Sequence, residues 1–77
     1  MKNKYKPTLD ALKEKLLEGG YSSIEELEEY LKSKGLPLKV APGYTVRHYI
    51  EDLRDQNIVK EKVVYVYKIT RRGKSLL

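Results

Sequence analysis

Apolar residues recur along this chain with two periods, and the change of period divides it. Leu9, Leu12 and Leu16 repeat at helical spacing, with Leu17 widening the stripe. Thr8 is a good N-cap for that helix, and Gly19-Gly20 stops it. Ile24, Leu27 and Leu31 make a second stripe with Tyr30 at its edge, and Tyr21 before it suits a short extended piece. Ser22 and Ser23 each precede a glutamate by three residues, so either completes a capping box. Gly35 closes this second helix, and LPLKVA (36–41) reads as a connection. Pro42 suits the first turn of a third helix, whose N–H groups need no helical partner. Val46, Ile50 and Leu53, with Tyr49 beside them, form its stripe, and it ends near Asn57.

From Ile58 the period becomes that of strands. IVKEKVVYVYKIT is rich in β-branched and aromatic residues. Its charged KEK, residues 60–62, is the expected hairpin tip. The parity of 63–69 stays open, since Val64 and Val66 are as apolar as Tyr65, Tyr67 and Ile69. Thr70 caps a short final helix, RRGKSLL. The predicted order is helix, short strand, helix, helix, hairpin, short helix: an α+β fold, mainly α, in one domain over 8–77. Residues 1–7 show no apolar period and read as a flexible basic arm carrying Lys2, Lys4 and Lys6.

Composition narrows the possible chemistry. The 77 residues include no cysteine and one histidine, which leaves no disulfide, thiolate metal site or histidine-rich metal centre. No apolar run approaches the roughly 20 residues that span a bilayer, and nothing reads as a signal peptide. A soluble cytoplasmic protein without membrane partner, cofactor or small-molecule substrate is expected. No nucleophile–histidine–acid set or phosphate loop is present, so an enzyme is not expected. The bias toward Lys and Glu and away from labile residues resembles that of thermophile proteins.

The net charge of +5 is distributed in blocks. Residues 1–9 carry +3, 10–31 carry −5, 32–47 carry +4, 48–57 carry −2 and 58–77 carry +5. Such blocks point to separate basic and acidic surfaces, and a basic surface suits a polyanion. With its stripe inward, the third helix presents Tyr44, Thr45, Arg47, His48, Glu51 and Arg54 outward. Glu25, Glu26, Glu28 and Glu29 crowd the start of the second helix, where the helix dipole favours them.

Two segments carry a resemblance. TVRHYIEDLRDQNIV (45–59) looks like the recognition helix and following strand of the winged helix-turn-helix superfamily. YKITRRGKSLL (67–77) is similar to the ending common in MarR-like and PadR-like regulators and their small archaeal or viral relatives. Over about 8–77 the resemblance implies a three-helix bundle with a C-terminal hairpin wing. It implies a sequence-specific regulator of transcription that binds double-stranded DNA. The helix over about 42–57 then reads the major groove and the 60–62 tip touches backbone or minor groove. The implied DNA contacts are Lys39, Tyr44, Thr45, Arg47, His48, Lys60, Lys62, Arg71 and Arg72. Free N–H groups at the helix start hold a phosphate in such a reading. A homodimer is a further expectation, with Val64, Val66, Leu76 and Leu77 as apolar contacts. The alternative is a protein–protein module using the acidic helix 23–34 or the apolar strand 63–69. Charge placement discriminates: DNA binding needs Lys39, Arg47, His48, Lys60 and Lys62 on one surface and the glutamates elsewhere.

Overall fold

A computed structural model describes residues 4–77. It is a small α+β structure of four helices and two antiparallel sheets. Helix α1 (Lys6–Leu17) leads to the short strand β1 (Ser22–Ser23) and helix α2 (Ile24–Ser33). Strands β2 (Lys39–Ala41) and β3 (Tyr44–Thr45) follow, then helix α3 (Val46–Asp55). Strands β4 (Val59–Val63) and β5 (Val66–Ile69) and helix α4 (Arg71–Leu76) complete the chain. The main sheet has the order β1-β5-β4, and β2 and β3 pair separately.

The helical stripes are the core. Leu12 and Leu16 of α1, Ile24, Leu27 and Leu31 of α2, and Val46, Ile50 and Leu53 of α3 are all buried. The sheet adds Val59, Tyr67 and Ile69, which settles the open parity: Tyr67 and Ile69 face inward while Val64 is exposed. Leu9 is partly buried, and Leu17 is exposed.

Local chemistry closes each element. Ser23 caps α2 by accepting from the Glu26 N–H at 3.0 Å. At its other end Gly35 takes the left-handed conformation (φ 67°). The N–H groups of Gly35 and Leu36 then donate to the Lys32 and Leu31 carbonyls, a Schellman closure. Helix α3 ends the same way with Asn57 (φ 61°) in the left-handed position. There the Ile58 N–H reaches the Leu53 carbonyl at 2.8 Å. Thr70 caps α4, accepting from the Gly73 N–H at 2.9 Å.

Four expectations change. The helix starts at Lys6, not after Thr8, so Lys6 and Pro7 are helical; the first three residues of the expected arm, with Lys2, lie outside the described residues. Thr8 is not a cap. It is fully buried, and its hydroxyl donates to the Pro37 carbonyl at 2.9 Å, latching α1 to the chain after α2. Pro42 does not open α3; Pro42 and Gly43 (φ 69°) lie between β2 and β3, and Thr45 is the cap of α3. A Pro-Gly pair is a turn signal in its own right, because Pro presets its φ and Gly tolerates the positive one. Last, the KEK segment lies within β4, and Val64 and Tyr65 make the turn.

Among the glycines, Gly73 of α4 is the one packed against its neighbours. A Cβ placed at Gly73 would stand 2.1 Å from the Ile58 carbonyl oxygen. That oxygen also accepts from the Thr70 N–H and hydroxyl, both at 3.0 Å, so the backbone there is held and has no room to yield. Gly73→Ala is expected to destabilise the domain by about 1–3 kcal/mol, the usual cost of overpacking. Urea unfolding of the two proteins checks it; equal midpoints would refute the packing.

Candidate functional site

Thr45 sets the geometry of the site. Its side chain accepts from the His48 N–H at 3.3 Å, which fixes where α3 begins. The residues just after the cap, Arg47 and His48, then project from the first turn and are exposed. On β3, the Tyr44 ring stacks on His48 with centroids 6.4 Å apart and meets Tyr49 edge-on at 6.5 Å. The Tyr44 hydroxyl donates to Asp52, which ties β3 to the middle of α3. Tyr44 thus holds the histidine and the helix together, and burial pushes the Tyr49 hydroxyl pKa above its ordinary value.

Beside the start of α3 lies a depression of about 660 Å³. Lys4, Lys39, Thr45 and Arg47 line it, together with Tyr5 and Glu28. The Thr8–Pro37 latch explains why residues 4 and 5 belong here: it seats the start of α1 against the segment that leads into β2. Three cations thus share the depression with one carboxylate.

The β4–β5 turn closes the other side of Arg47. Tyr65 has the left-handed backbone conformation (φ 64°), and the Arg47 guanidinium sits over its ring, 4.9 Å from the centroid. Three contacts hold this turn. The Tyr65 N–H donates to the Glu61 carboxylate at 3.0 Å. The Tyr65 carbonyl accepts from the Ile24 N–H at 2.9 Å. Glu61 in turn pairs with Arg54 of α3 at 3.5 Å. The Tyr65 N–H, then the Arg54 charge, hold the Glu61 carboxyl below its ordinary pKa. Among the described residues, the buried Tyr67 hydroxyl has no hydrogen-bond partner in this geometry. Burial raises its pKa, and the nearby Glu61 charge adds to the rise.

The expected contact residues therefore separate into two sets. Lys39, Tyr44, Thr45, Arg47 and His48 gather around the start of α3. Lys60 and Lys62 do not join them: Lys60 stands opposite Lys68 and Lys62 lies over Tyr21, so the single basic surface expected for DNA binding is not formed and only Lys39, Arg47 and His48 share one. Arg71 lies with Lys60 near α4, and Arg72 is exposed on α4. Arg54 is occupied by Asp55 and Glu61. Free amides at the helix start are also fewer than expected, since the Val46 N–H donates to the Leu38 carbonyl and the His48 N–H to Thr45. The glutamates divide too. Glu25, Glu26 and Glu29 line a separate depression with Lys15 and Tyr30, whereas Glu28 reaches the cationic one.

Tyr65 and Glu61 are the site residues that sequence reasoning missed. Comparison with protein families, curated proteins and solved structures finds no match for this chain. Among the described residues no group of histidine, aspartate and glutamate is placed to hold a metal ion. No described helix is long and apolar enough to cross a membrane.

The depressed Glu61 pKa gives the turn a pH dependence with a defined sign. Its contribution is present above the ordinary glutamate pKa and is lost as pH falls through the lower folded value. On acidification the Tyr65 amide should lose hydrogen-exchange protection before the core amides do. In Glu61→Gln that early step should vanish, with the amide less protected at neutral pH. An unchanged acid profile in the variant would show that Glu61 does not hold the turn.

Proposed function

We propose that the chain is a winged helix domain that binds double-stranded DNA through the start of α3, without catalysing a reaction. The observation carrying this reading is the meeting of three parts at Arg47. These are the first turn of α3, the cationic depression with Lys4 and Lys39, and the β4–β5 turn whose Tyr65 ring backs the guanidinium. An arginine held on an aromatic face is pre-aimed, and its planar fork suits the O6 and N7 edge of guanine. Lys4 and Lys39 flank it as phosphate contacts, with His48 one residue after it and Thr45 two before. In this reading the β4–β5 hairpin is the wing, and its apex is Val64-Tyr65 rather than a lysine pair. Residues Val64 and Leu76 are exposed and offer a small apolar contact to a second copy; Leu77 instead packs on its own core.

A second reading is a protein-binding module. Glu28, which breaks the positive charge of the cationic depression, and the exposed apolar Val63 and Val64 favour it.

Duplex binding measured against salt concentration separates the two. Several phosphate contacts require affinity to fall steeply and linearly on logarithmic axes. Arg47→Ala should reduce discrimination between the selected site and other sequences roughly tenfold, within the ~1–3 kcal/mol typical of a bidentate arginine–guanine contact. Lys39→Ala should weaken all duplexes alike and lower the salt slope by about one. No duplex binding at low salt sinks the DNA reading. Equal, sequence-independent losses in both variants remove α3 as the reader.

A further inference from the structure

The cations that do not join the α3 site form a surface of their own. Along β4 and β5 side chains alternate between faces. Val59, Tyr67 and Ile69 face the helices, so Lys60 and Lys68 face outward; the register shifts between Glu61 and Val63, and Lys62 there is placed by its contact with Tyr21. Glu61 confirms the division, because it reaches Arg54 of α3 on the inner side. Lys60 and Lys68 are opposite one another across the two strands. The Lys62 and Lys68 ammonium groups flank the Tyr21 ring at 5.0 and 5.4 Å, which places all three on the same face. At the α4 end a depression of about 360 Å³ is lined by Lys60, Lys68, Arg71 and Lys74, with no acidic residue. None of these five cations makes an ion pair among the described residues.

Like charges this close repel, and here no acid relieves them. The arrangement is complementary to a dense line of negative charge, which is what a duplex backbone presents at one charge per about 1.7 Å of axis. Its α4 end lies at the opposite end of the strands from the Val64-Tyr65 turn that Arg47 meets. Lys60 lies about 13 Å along the strand from Val64, judged from the rise per residue, and α4 is farther still.

We propose that this outer face of the β1-β5-β4 sheet binds the phosphate backbone of a second DNA duplex, so that one copy of the domain joins two duplexes. The inference rests on the reading of α3 as the first duplex site. Binding here is to backbone alone, because the flat face offers lysines and no element to enter a groove.

A bridging assay tests it. One duplex is fixed to beads, protein is added near physiological salt, and recruitment of a labelled second duplex is counted. Single-duplex affinity is measured in parallel. The sheet-face variant is Lys60→Gln, Lys68→Gln and Lys74→Gln together; all three positions are exposed or half-exposed, and its thermal melt confirms folding. Expected is a loss of second-duplex recruitment of at least tenfold, with affinity for the selected single duplex changed less than threefold. Bridging that survives in this variant, as two α3 surfaces of a dimer would produce, overturns the proposal. So does wild-type protein that binds the first duplex and recruits none. Failure to bind even the first duplex overturns both this inference and the α3 reading. Recruitment of phosphatidylserine vesicles but not of duplex assigns the face to membranes and also overturns it.

Discussion

The backbone pairing of Ser22 and Ser23 with Tyr67 and Val66 joins the first third of the chain to the last. Strand β5 lies between β1 and β4, and without β1 the β4–β5 hairpin would be a two-stranded ribbon, which is marginal in water. The pairing continues one step past the strands, where the Ile24 N–H donates to the Tyr65 carbonyl. That single bond connects the start of α2 to the apex of the hairpin. Because Ile24 is a core residue, the position of the apex is referred to the core. The Tyr65 ring therefore reaches Arg47 from a fixed point and not from a swinging loop. The Glu61 carboxylate and its partner Arg54 brace the same turn from the side of α3.

Charge is sorted by the same architecture. The sequence blocks of +4 over 32–47 and +5 over 58–77 do not merge into one basic surface. Of the first block only Lys39 and Arg47 reach the start of α3, Lys32 and Lys34 staying beside Glu29 and Tyr30, while the second block lies on the outer face of the main sheet and on α4. The acidic block over 10–31 faces mostly elsewhere, through Glu25, Glu26 and Glu29, but Glu28 breaks the separation. Two separate groups of cations thus stand on one apolar core.

Helices were legible where a burial stripe repeats. Ile24, Leu27 and Leu31, and Val46, Ile50 and Leu53, are placed as their spacing requires. The caps Ser23 and Thr70 were legible because they act on amides three residues away, within the reach of local sequence. What was hidden depends on partners distant in the chain. Thr8 looks like a cap until Pro37, 29 residues on, supplies an acceptor for its hydroxyl. KEK looks like a turn because three charges interrupt an apolar run. Yet β4 is an edge strand, where outward lysines are the usual protection against further pairing. The true turn carries no glycine or asparagine, so composition gave no sign of it. The candidate site divides along the same line: Thr45, Arg47 and His48 follow from the helix register, whereas Lys39 is brought in by the β2–β3 pairing and Tyr65 by the turn.

The conformation of Tyr65 sets stability against use. A residue with a Cβ pays roughly 1–2 kcal/mol to stand in the left-handed region, a cost that glycine does not bear. Selection for thermal tolerance alone would accordingly drive position 65 toward glycine, or toward asparagine, and would discard the ring that backs Arg47. Tyr65 at that corner therefore sets its ring against Arg47 at the expense of attainable stability.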